Sequence, residues 1–129
     1  MAKALPKGQS GHIINIIDQR VWKLTPDYLS YTLSKSALWT LTQTLAQALA
    51  PQIRVNAVGP GPVLKSIHQD EETFKKQSDA LLLGKAASVG DVANTVKFLL
   101  DTPSITGQMI AVDSGQHLAW KTPDVFGVD

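Results

Sequence analysis

Two tyrosines and one lysine stand in the stretch YLSYTLSKSALW, Tyr28 to Trp39, and their spacing decides which of them could act as an acid. On a helix, side chains four apart stack on one face, so Tyr31 and Lys35 are neighbours, with Tyr28 one turn further back. A phenol beside a fixed ammonium is a poised proton donor, because positive charge favours phenolate and pulls the tyrosine pKa down from about 10. The plain alternative is an exposed aromatic next to a solvated lysine. A Tyr-x-x-x-Lys arises from composition in roughly one chain in five of this length, so the elements around it must decide.

The chain has 129 residues, a formal net charge of +1, 43% hydrophobic residues and no cysteine. That composition describes one globular domain over residues 1–129, with no footprint for nucleic acid or an anionic membrane. Without cysteine there is no disulfide framework or thiolate metal site, and the apolar runs are too short to cross a bilayer. The opening MAKALPKGQSGH has no apolar core for a secretory signal, which makes a cytoplasmic location the default. His12, His68 and His117 are too scattered to suggest a metal site, and surface or strand-edge roles suit them better.

The elements that would position Tyr31 follow in order. Ile13, Ile14, Ile16 and Ile17 form a β-branched run, as in a parallel strand buried on both faces, and Asp18 closes it. Thr25 and Pro26 read as a helix cap and first turn, with the helix running to about Ala50 before Pro51. Its predicted apolar stripe is Ala37, Leu38, Leu41, Leu45, Ala48 and Leu49. Ile53 to Gly61 is a second strand entering a Gly/Pro-rich loop. Asp70 to Leu83 can form a peripheral helix, and residues 62–85 are a candidate substrate lid. Ser88 caps a further helix, and Thr106 to Asp113 alternates like a third strand. The sum is an α/β, Rossmann-like sheet of three parallel strands with crossover helices. Ligands in such sheets sit beyond the carboxyl ends of the strands, where Asp18, the Gly59 to Val63 loop and Ser114 fall. Trp22 and Trp39 read as packing or subunit-contact residues.

Tyr31-Thr32-Leu33-Ser34-Lys35, Arg54-Val55-Asn56 leading to Pro60-Gly61, and Thr106-Gly107 followed by Val112-Asp113-Ser114-Gly115 together resemble the short-chain dehydrogenases/reductases. The resemblance covers Gly11 to Leu118. It implies an oxidoreductase using NADPH, with NADH as the alternative, in which Tyr31 donates a proton as hydride arrives. Lys35 would lower the Tyr31 pKa and bond the nicotinamide ribose, and the main chain of Pro60, Gly61, Pro62 and Val63 would hold the nicotinamide end. Most members carry serine thirteen residues before the tyrosine, where this chain has Asp18. An Asp18/Tyr31/Lys35 set resembles the pteridine and dihydromonapterin reductases, which implies a pterin-like substrate that Asp18 would orient. A 3-oxoacyl-type or other carbonyl reductase is the alternative, and a non-catalytic remnant serving as an interaction module is a second.

The family's Gly-rich turn and Asn-Ala-Gly stretch are not found in these residues, and Met1 to Leu5 resembles the last turn of the helix before the fifth strand. The chain therefore reads as the C-terminal part of a reductase whose cofactor-binding half is missing, with little or no turnover expected alone. Lys65 stands near a position where relatives place a cofactor-contacting threonine. Family habit also implies a homo-oligomer, a tetramer in the intact protein.

Overall fold

The structure, a computed structural model, describes residues 2–65 and 67–124. Three strands, β1 (Gly11–Ile16), β2 (Ile53–Pro60) and β3 (Met109–Val112), form one parallel sheet in the order β1-β2-β3. Ile13 lies opposite Val55 and Asn15 opposite Ala57, while Ala57 also pairs with Met109. β2 is the central strand, so Ile53, Val55, Ala57 and Val58 are essentially sealed from solvent. β1 is an edge and is only half-buried, which corrects the expectation of burial on both faces. It also stops at Ile16, two residues before Asp18, because the chain turns there into a 3-10 turn, Gln19–Val21.

The long helix α1 (Leu29–Leu49) begins later than Thr25 and Pro26 suggest. Thr25 spends its hydroxyl on the Asp27 N–H two residues on, and Tyr28 takes a left-handed φ of 57° immediately before the first helical residue. Such a residue cannot continue a right-handed helix, so the helix starts after it. The predicted apolar stripe divides. Leu38, Leu45 and Leu49 pack against the sheet beside Ala46, whereas Ala37, Leu41 and Ala48 point outward with Leu33. The sheet-facing row includes Thr42, fully buried, which donates to Leu38 O and accepts from Asn15 Nδ2 at 3.0 Å.

On the opposite face β2 meets the C-terminal end of α3 (Val89–Asp101). Ser88 caps its start, as the sequence predicts, and Asp91 closes the cap into a reciprocal box, a contribution of about 1 kcal/mol. At its end Arg54 of β2 donates to the carbonyls of Leu99, Leu100, Thr102 and Ile105. Asn56, two residues on, is fully buried. It donates to Ile105 O, accepts from Gln108 N and touches His12 Nε2. The Arg-Val-Asn motif is thus a clip between the central strand, α3 and the segment that leads into β3. β3 is shorter than Thr106 to Asp113, because Thr106 spends its hydroxyl on Val55 N and Gly107 turns at φ 74°.

α2 (Glu71–Asp79) is capped by Asp70, carries no buried residue and ends four residues short of Leu83. Leu83 N instead donates to Ser114 O, tying the end of this peripheral segment to the end of β3. At the N-terminus Ala2–Ala4 form a single 3-10 turn, and Met1 lies outside the described residues. Among the described residues no helix is long and apolar enough to cross a membrane.

Candidate active site

Asp18 leaves the sheet where Ile17 N still donates to Val58 O, so its carboxylate emerges at the carboxyl end of β1. Its Oδ1 accepts the Arg20 N–H at 2.8 Å and caps the 3-10 turn. Its Oδ2 accepts the phenolic hydrogen of Tyr31 at 3.0 Å. Tyr31 sits in the first turn of α1. One turn on, the Lys35 ammonium donates to Ile16 O at 3.1 Å and lies 5.6 Å from the Tyr31 ring centroid. The structure therefore gathers Asp18, Tyr31 and Lys35 at one end of β1, with Tyr28 outside the hydrogen-bonded set.

The electrostatics differ from those that the Tyr31-Lys35 spacing suggests. The Tyr31 pKa is raised, not lowered: burial is the largest cause, followed by the Asp18 charge and the bond to it, with Arg20 opposing. The Lys35 ammonium donates to Ile16 O and lies over the Tyr31 ring, while the phenolic hydrogen goes to Asp18. The phenol accordingly keeps its proton through neutral pH, which is the form a proton donor needs.

Arg20 is a site residue that the spacing argument does not find. Its guanidinium lies 5.2 Å from the Tyr31 ring and 5.6 Å from the Tyr28 ring, and Nε is 3.7 Å from Asp18 Oδ1. A cation two residues beyond the strand-end carboxylate was the available signal.

The turn Pro60 to Val63 follows β2 and presses on the end of β3. Gly61 N donates to Val112 O, and a Cβ at Gly61 would lie 2.7 Å from Asp113 Cβ, so only glycine permits this approach. Asp113, nearly buried, accepts from Gly115 N, His117 N and His117 Nδ1. Trp22 packs edge-on against both Trp39 and His117. The Asp113-Ser114-Gly115 motif and the two tryptophans are thereby structural supports for the loops around the site. Lys65 is held by Gln69 O and Glu71.

Two clefts flank this turn. One of about 520 Å³ is apolar, walled by Pro60 to Leu64 with Val89, Val92 and Ala93. The other, about 530 Å³, holds Asp18, Arg20, Tyr28, Gly61, Gln77 and Gln116 among its lining residues. Of the site's three residues, Asp18 lines the second cleft, and Tyr31 and Lys35 are not in its lining. Among the described residues no cluster of His, Asp or Glu could hold a metal ion.

A parallel sheet with an acid, a phenol and a lysine at its carboxyl end defines a Rossmann-like α/β protein with a candidate site of the reductase type. The family model described as Enoyl-(Acyl carrier protein) reductase matches residues 1–117. The short-chain dehydrogenase/reductase homolog YusR of Bacillus subtilis is 39% identical, over 88% of this chain and 89% of its own length. The dihydromonapterin reductase of Citrobacter koseri is 33% identical over 82% of this chain and 44% of its own. The solved structure of FolM alternative dihydrofolate reductase 1 from Brucella suis, in complex with NADP, is 60% identical with a TM-score of 0.92, and covers 95% of this chain and 49% of that one. The Brucella canis counterpart, also complexed with NADP, is 58% identical with a TM-score of 0.93. This chain belongs to the short-chain dehydrogenase/reductase family, near its pteridine reductase branch. It spans about half the length of the dihydromonapterin reductases and FolM proteins that it matches.

Proposed function

We propose that these residues form the proton-donating and substrate-orienting part of an NADPH-dependent reductase acting on a pterin-type ring. The carrying observation is the 3.0 Å bond from Tyr31 to Asp18, with Lys35 anchored beside it. Tyr31 holds the proton that substrate receives. Asp18 holds the phenol in place and, with a fifth of its side chain exposed, links it to solvent for reprotonation. A carboxylate also suits a ring that presents several nitrogens and an amino group, where a lone ketone oxygen would need only a hydroxyl donor.

The nicotinamide end of the cofactor fits the residues present. Gly61 leaves the Pro60 to Val63 turn bare of a side chain where it meets β3, and Lys35 has one donor on Ile16 O and two more for ribose hydroxyls. Tyr31, Lys35 and the main chain of Pro60, Gly61, Pro62 and Val63 would hold that end. When bound, NADPH supplies the hydride. Nothing in the described residues offers a Gly-rich turn at a helix N-terminus for the pyrophosphate, so the 129 residues alone should turn over little. Residues 62–85, anchored at Leu83 to Ser114, would cover the polar cleft. Assembly into a homo-oligomer is part of the same reading, supported by the outward Leu33 and Leu41.

The test is a chimera in which these residues replace the matching part of the Brucella suis FolM protein. It should oxidise NADPH with a dihydropterin or dihydrofolate, and the Tyr31→Phe chimera should not. A chimera that binds NADPH and reduces only simple carbonyls would replace the pterin reading with that of a carbonyl reductase.

A further inference from the structure

Arg20 touches both members of the Asp18–Tyr31 pair, yet no step above requires it. Its N–H and its guanidinium both address Asp18 Oδ1, which leaves Oδ2 for Tyr31. Its Cζ lies against both phenol rings, and one terminal nitrogen reaches Asp27 O at 3.4 Å. Nε is buried with no hydrogen bond, at 3.7 Å from the carboxylate. A buried donor left so is costly unless charge and ring contacts offset it, and here an anion and two aromatic faces surround it. A lysine could not reproduce the arrangement, since only the planar fork lies on rings while facing a carboxylate edge.

We propose that Arg20 is a positioning residue for the Asp18–Tyr31 pair, fixing the Tyr31 ring so that its hydroxyl meets Oδ2 and supplying the positive charge that both groups face. The charged and titratable groups around Tyr31 are Asp18 and Arg20 from the turn after β1, Lys35 from the next turn of α1 and Tyr28 from the residue before it, with His68 among the lining of the adjoining cleft. Asp18 makes the phenol harder to ionise and Arg20 makes it easier. Removing the cation leaves the carboxylate unopposed, so Tyr31 should hold its proton more tightly and its ring should be less well fixed.

The role rests on Tyr31 being the proton donor, but its test needs no turnover. The chain has two tyrosines, so Tyr28→Phe, which keeps the ring against Arg20, leaves Tyr31 as the only phenol. Its ionisation is then read from the ultraviolet phenolate band of the full chain, with circular dichroism restricting the comparison to folded protein. In that background Arg20→Gln should raise the midpoint by about half a unit or more, roughly a threefold change in ionisation constant. Arg20→Lys should fall between the two. An unchanged midpoint in folded Arg20→Gln overturns the proposal even if the chimera is active. Should Arg20→Gln fail to fold, the lysine variant decides, since a merely structural arginine would leave the Tyr31 midpoint at its original value. A shifted midpoint beside an inactive chimera would uphold the positioning role and sink the reductase reading alone.

Discussion

Tyr31 donates its phenolic hydrogen to Asp18 Oδ2 across 3.0 Å, joining the first turn of α1 to the residue that follows the edge strand. Burial first, then the Asp18 charge and this bond, raise the Tyr31 pKa and keep the proton on oxygen. In the chimera Tyr31→Phe should cost about 10²–10⁴-fold in turnover with cofactor affinity nearly unchanged, since only the donor is lost. Tyr28→Phe should cost far less. Turnover should show no alkaline loss from Tyr31 below about pH 10, because the donor stays protonated to there. Retention of more than about a tenth of the rate in Tyr31→Phe would refute the assignment.

Replacing Asp18 by serine exchanges an acceptor-only carboxylate for a hydroxyl that donates and accepts. Reduction of a dihydropterin should fall more than reduction of a simple carbonyl by the same chimera. Equal loss on both substrates, measured as kcat/KM, would make Asp18 a strand-end cap and no more.

His12 should make the fold acid-sensitive. Asn56 is oriented by accepting from Gln108 N, so its amide donates toward His12 Nε2, and that nitrogen must be the acceptor of a neutral ring. Burial first, and the Arg54 charge second, lower the His12 pKa from 6.5. The folded state therefore binds fewer protons than the unfolded chain, and stability present above about pH 6.5 is lost as pH falls through the folded value. Urea midpoints should decline between about pH 7 and 5 in the native chain and decline less in His12→Gln. Parallel declines would assign the effect to other groups.

Arg54 reaches four carbonyls at the end of α3 and in the loop after it. Arg54→Met keeps most of the stem but strips those acceptors of their charged donor, which should lower unfolding free energy by about 1.5–3 kcal/mol. A loss under about 0.5 kcal/mol would mean that water serves those carbonyls equally well.

The outer side of β1 has no partner strand among the described residues, and Leu33 and Leu41 are exposed on the outward face of α1. An open strand edge beside apolar surface invites pairing with another chain. Light scattering at micromolar concentration should find the chain assembled, and Leu33→Glu with Leu41→Glu should shift it toward smaller species. A cooperative, stable monomer would overturn this expectation.

Local geometry was legible in the sequence. Helical periodicity alone puts Lys35 one turn beyond Tyr31; Ser88 announces its own cap; the β-branched run before Asp18 and the turn at Pro60 and Gly61 mark two strand ends. These features depend on residues a few positions apart, whose relation is set by the chain's covalent geometry. Tertiary structure alone decided which charge governs Tyr31. Burial raises the Tyr31 pKa, and so does Asp18, thirteen residues away, which accepts the phenolic hydrogen, while Lys35, four residues away, donates to Ile16 O. It likewise decided that Thr42 is buried while Ala37 and Leu41 face outward, and that Arg20 rests on two tyrosine rings. Hydrophobicity names residues that can be buried, but coverage depends on which face meets β2, and a charge acts through the distance that folding gives it.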